Sequence, residues 1–164
     1  MLVNILTQAI LSISAIDYLA IMAVWAGSVY AIRFGMWPYS LIGFPGVFAH
    51  EAMHYMMAKL FFASPNFPNM IPRKNGDSWI MGSVSFVPSL INSIPLAMAP
   101  LLLLPASIWM AAYMLPTVHG WAYAGWVWAI GSALHACMPS NQDWKIALPG
   151  IGVATALTAA YFIL

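Results

Sequence analysis

Met36 to Phe62 reads MWPYSLIGFPGVFAHEAMHYMMAKLFF. The stretch is long enough to cross a bilayer as a helix, because about 20 residues suffice at a rise of about 1.5 Å each. Only Glu51 and Lys59 in it are charged. Lys59 stands near the end, where its long stem lets the ammonium reach the interface. Glu51 stands deeper, where an ionised carboxylate is costly without a partner or water. An apolar, membrane-length segment that keeps such a group points to a helical membrane protein with chemistry at depth.

The rest of the chain agrees. Its 164 residues include five Lys or Arg and four Asp or Glu, and 63% are hydrophobic. A soluble domain of this length would carry roughly 40 charged residues. So few charges cannot cover a water-facing surface, and disorder needs the opposite composition. A net charge of +1 without a basic run excludes nucleic acid as a partner. The single cysteine, Cys137, excludes an intramolecular disulfide and a Cys-based zinc knuckle. No Lys or Arg precedes Arg33, so a cleavable signal peptide is not expected.

The expected fold class is an all-α polytopic membrane protein of about five transmembrane helices with a short membrane-associated β-hairpin. Ala9 to Ile32 reads as a first span and Met36 to Phe62 as a second. Arg73-Lys74-Asn75-Gly76-Asp77 is a turn signal, with Asn-Gly suited to a type I′ turn, and predicts a hairpin within residues 70–87. An open hairpin cannot face lipid, so it must lie at the interface or against helices. Pro95, Pro100 and Pro105 predict a kinked third span over about 90–115. Trp121 to Met138 reads as a fourth span, broken by Pro139, and Ile146 to Leu164 as a fifth. The positive-inside rule places Lys59, Arg73, Lys74 and Lys145 in the cytoplasm, which makes the N-terminus cytoplasmic in a multi-pass protein.

His50-Glu51-Ala52-Met53-His54 carries the chemistry. Residues four apart share one helix face, so both imidazoles can hold one zinc ion, and Glu51 is placed to act as a general base. Zinc makes water acidic enough to be deprotonated near neutral pH, which points to hydrolysis. The bland alternative is a buried hydrogen-bonded network that joins helices. A catalytic zinc needs a third protein ligand. Asp143, where the fourth span breaks, is the favoured candidate and His135 the next. Asp17, Asp77, His119 and Cys137 are better read as packing, turn or loop residues.

The run Phe44-Pro45-Gly46-Val47-Phe48-Ala49-His50-Glu51-Ala52-Met53-His54 resembles the metal-binding helix of site-2-protease-type intramembrane metalloproteases. Met138-Pro139-Ser140-Asn141-Gln142-Asp143 is similar to the second motif of a small bacterial branch of that group, a Pro-Ser pair followed by Asp. Trp144 stands where better-known members carry Gly. The resemblance covers a core over 44–146, with 1–34 and 147–164 as additional spans of a single transmembrane domain. It implies zinc on His50, His54 and Asp143, and Glu51 as catalytic base. It further implies a hairpin after the metal-binding helix and a bacterial inner-membrane location.

The expected function is therefore that of a zinc-dependent intramembrane endopeptidase. Its partners would be a transmembrane-helix protein substrate and membrane lipid. His135 and Asn92 are candidates for positioning substrate. The alternative is a non-catalytic metal-binding or assembly subunit that retains the metal site.

Overall fold

In a computed structural model that describes residues 2–76 and 78–163, the chain forms seven helices and one two-stranded hairpin. The helices are α1 (Leu2–Ser12), α2 (Ala15–Ala31), α3 (Met36–Leu60), α4 (Ser93–Ala97), α5 (Leu103–Tyr113), α6 (Gly120–Ala136) and α7 (Asn141–Ile163). Short 3-10 turns at Ile32–Phe34, Ala99–Leu102 and Leu115–Thr117 join or extend them. The hairpin strands are β1 (Arg73–Asn75) and β2 (Ser78–Ile80).

Among the described residues, three helical stretches are long and apolar enough to cross a membrane: Ala15–Phe34, Ala99–Thr117 and Asn141–Ile163. The expected count was five. α6 has 17 residues, about 25 Å of helix, which falls short of a hydrocarbon core of about 30 Å. α3 has the length, with 25 residues, but His50, Glu51 and His54 lower its apolarity. In α7 only 11% of the apolar window is buried, and Leu157, Tyr161 and Phe162 stand exposed.

The first expected span is two helices. Ser12 turns its hydroxyl back to the Ala9 carbonyl, and Ser14 caps α2 by accepting from the Asp17 N–H. The Ser14-x-x-Asp17 spacing is a capping box, a signal that hydropathy does not register. Tyr123 donates to Asp17 at 2.8 Å, so the start of α2 lies beside the start of α6. The third expected span is broken into α4, a 3-10 turn and α5, with Pro100 in the turn.

α3 and α6 run in the same direction and pack closely. Trp128 donates its indole N–H to the Ile42 carbonyl at 2.7 Å. One turn on, a Cβ at Gly46 would collide with the Ser132 carbonyl, so only glycine permits this approach. Pro45 lies inside α3 and removes one helical hydrogen bond there. Ile21, Ala111, Leu115, Val127 and Ile130 knit α2, α5 and α6 into the main apolar core.

The hairpin pairs Arg73 with Ile80 and Asn75 with Ser78. Gly76, at φ 60°, therefore takes the first connecting position, and Asn75 belongs to the strand rather than to the turn as expected. Asp77, expected as a turn residue, lies outside the described residues. The ladder continues beyond the strands through an Asn69–Ser83 bridge, Asn66 N–H to the Ser85 carbonyl and Val87 N–H to the Ala63 carbonyl.

Candidate metal centre

His50, Glu51 and His54 occupy one face of α3, and Asp143 sits in the first turn of α7. The fold brings His50, His54 and Asp143 together, each offering one ligand atom within 4.8 Å of the others. The two Nε2 atoms are 3.2 Å apart. Asp143 Oδ1 is 3.1 Å from His54 Nε2, and Oδ2 is 3.6 Å from His50 Nε2. Ligand atoms on a tetrahedral zinc with bonds of about 2.0–2.1 Å stand about 3.3 Å apart. The observed separations scatter around that value, and 3.6 Å is too long for a direct hydrogen bond.

The outer nitrogens establish what the cluster wants. His50 Nδ1 lies 2.7 Å from the Ala136 carbonyl, and His54 Nδ1 lies 2.8 Å from the Leu96 carbonyl. A carbonyl only accepts, so each Nδ1 carries the hydrogen. Each neutral ring then presents a bare Nε2 lone pair to the cluster. Two lone pairs and a carboxylate facing one another at these distances repel unless a proton or a metal cation lies among them. This donor set fits a divalent metal such as zinc, with both ring tautomers held by backbone partners.

The chain frees those two carbonyls by breaking helices. Four residues after Leu96 stands Pro100, which has no N–H to return to the Leu96 carbonyl. Four residues after Ala136 stands Ser140, whose N–H goes instead to Asp143 Oδ2 at 2.6 Å. The Asp143 N–H in turn donates to Ser140 Oγ at 3.3 Å, which completes a capping box at the start of α7. The break at Pro139 thus satisfies His50 through one freed group and holds Asp143 through the other.

Glu51 is buried beside the cluster. The backbone of Val84 lies near its carboxylate. A Cβ on Gly82 would lie 2.8 Å from Glu51 Cγ, so the extended segment after β2 presses directly on this side chain. Within that segment Ser83, Ser85 and Val87 pair with 63–69, while Gly82 and Val84 turn towards α3. Phe86 packs near His54, with ring centroids 6.0 Å apart.

Of the remaining candidates, His135 lines a cavity next to His50 and Glu51, and its ring meets Tyr39 edge-on at 5.8 Å. Asn92 is elsewhere: its Oδ1 accepts from the Ser89 N–H at 2.6 Å in the turn before α4. His119 is exposed at the start of α6. Cys137 is buried with its thiol on the Leu134 carbonyl. The partners that sequence reasoning missed are the Leu96 and Ala136 carbonyls. The only signal for the first was the spacing of Pro100. No protein-family model, curated protein or solved structure matches the chain. What stands is a helical chain with three membrane-length apolar helices and a His50–His54–Asp143 cluster suited to a metal ion.

Proposed function

We propose that this chain is a zinc-dependent intramembrane endopeptidase that hydrolyses peptide bonds of membrane-embedded protein segments. The observation that carries the reading is a close cluster of two histidines and a carboxylate whose outer ring nitrogens meet backbone carbonyls, with Glu51 between the histidines on the same helix. Zinc, when held by His50, His54 and Asp143, supplies a Lewis acid that polarises a carbonyl and acidifies water.

Glu51 takes the proton of the attacking water and returns it to the leaving amine. A substrate helix must unwind first, because its own hydrogen bonds shield the scissile bond. The unwound strand would then pair by β-augmentation with the extended segment that follows β2, once that segment shifts off Glu51. In this reading α3 joins the three apolar helices as a membrane-crossing element, and its polar face is covered by protein rather than lipid. The membrane is a bacterial inner membrane.

Glu51→Gln tests the assignment. The variant keeps about one zinc per chain and loses at least about 100-fold in cleavage of a co-expressed single-span test protein. Cleavage equal to wild type would remove Glu51 from the mechanism. Zinc in wild type and variant alike, with cleavage by neither, would instead describe a metal-holding membrane protein without catalysis.

A further inference from the structure

A cavity of about 270 Å³ opens beside the metal cluster. His50 and Glu51 form part of its lining, so whatever fills it sits against the reacting groups. Much of the remaining lining is apolar: Val47, Met81, Met138 and the ring of Tyr39. Three of these six come from one row on α3, because Tyr39, Val47 and Glu51 follow one another at multiples of four residues. Gly43 completes the row. It has no side chain, and the Tyr39 ring lies over it, with Cε2 3.2 Å from where a Cβ would be. The missing Cβ is what lets the ring fold against α3 and wall the cavity.

A single water occupies about 30 Å³ and needs two to four polar partners. Val47, Met81, Ala136 and Met138 offer none, and His50, Glu51, His135 and Ser140 line only part of the wall, so the apolar part of the cavity is poorly matched to water. It suits one large apolar side chain, held next to groups that act on a backbone carbonyl. The extended segment at Gly82 lies against Glu51 and Val47, two residues of the cavity wall, so a peptide bound beside that segment would have a side chain within reach of the cavity.

We propose that this cavity is a side-chain pocket that selects a bulky apolar residue, such as Leu, Met or Phe, adjacent to the scissile bond of the substrate. The proposal rests on the endopeptidase reading and adds a specificity element to it. Val47 and Tyr39 set the width of the pocket. Met81 and Met138 form flexible walls that can adapt to branched or aromatic groups.

The test uses full-length, zinc-loaded protein in detergent and measures binding of hydroxamates, which take hold of an active-site metal. Acetohydroxamate reports on the metal centre alone. N-acetylglycine, N-acetylleucine and N-acetylphenylalanine hydroxamates report on the pocket. The leucine and phenylalanine probes should bind at least about tenfold tighter than the glycine probe. In Val47→Phe, which fills the cavity, that ratio should fall to about one. Equal binding of all three probes to wild type would overturn the pocket and leave the metal centre standing. Failure of acetohydroxamate to bind zinc-loaded protein would overturn the endopeptidase reading and the pocket with it. Should Val47→Phe not fold, Met138→Ala serves in its place. Met138 is 69% exposed, so its truncation spares the core and widens the pocket. The preference should then move from leucine towards phenylalanine, and an unchanged ratio would count against the pocket.

Discussion

Ser14-Ala15-Ile16-Asp17 and Ser140-Asn141-Gln142-Asp143 are the same local device in two settings. Each opens a helix with a Ser-x-x-Asp capping box, in which the aspartate N–H donates to the serine hydroxyl, at 3.1 Å and 3.3 Å respectively. Their surroundings differ. Asp17 is half-buried, and its Oδ1 accepts from Tyr123, which ties α2 to α6. Asp143 is buried at 5% exposure, and its oxygens face His50 and His54. In Asp17 one oxygen serves the cap and the other the tertiary contact, whereas Asp143 Oδ2 both accepts from the Ser140 N–H and faces His50. What the tertiary contact becomes depends on what the fold delivers to it: a phenol in one case, two bare imidazole nitrogens in the other.

The comparison breaks most visibly through the aspartates. Asp143→Ala should lower zinc affinity by more than about 100-fold, since it removes a ligand and not merely an outer-shell partner. Asp17→Ala should leave zinc content at the wild-type level. Metal analysis of both purified proteins decides the matter, and loss of zinc from Asp17→Ala would end the distinction between the two boxes. A smaller effect is expected from Pro100→Ala. The new N–H would compete for the Leu96 carbonyl and loosen His54, with zinc affinity falling about tenfold in a competition titration.

The serines sharpen the contrast further. Ser14→Ala and Ser140→Ala should each cost about 1 kcal/mol of stability, the usual worth of an N-cap. Only Ser140→Ala should also weaken zinc, again by about tenfold, because Asp143 loses part of its hold. Thermal unfolding with and without added zinc separates the two contributions. The smallest effect belongs to Tyr123→Phe. It removes one hydrogen bond to Asp17, should cost about 1 kcal/mol or less, and should leave zinc binding alone.

Much of the site was legible because it is local. Two histidines four apart share a helix face in any α-helix, and a proline followed by a serine and an aspartate announces a new helix start. The Ser14-x-x-Asp17 pattern was equally legible as a cap, and it explains both the break after Ser12 and the place of Asp17. Hydropathy alone missed that break because it sums side chains and is blind to hydrogen bonds. An apolar run also says nothing about where a helix stops: three of the five expected spans reach membrane length and apolarity, while α6 stops at 17 residues. The hairpin was placed correctly along the chain, while its turn is offset by one residue, since Asn75 is held in register with Ser78.

Composition and spacing by themselves determined that this is an apolar helical chain with two histidines and a glutamate on one helix face and a capped aspartate farther on. Both follow from side-chain chemistry and the 3.6-residue repeat, which need no tertiary context. Only the tertiary structure decided that Asp143 rather than His135 completes the cluster. It also decided that the Leu96 and Ala136 carbonyls orient the two rings, and that Gly46 lets α6 come close enough to do so. The reason is distance along the chain. His50 and Ala136 stand 86 residues apart, and nothing local to either encodes the backbone approach that joins them.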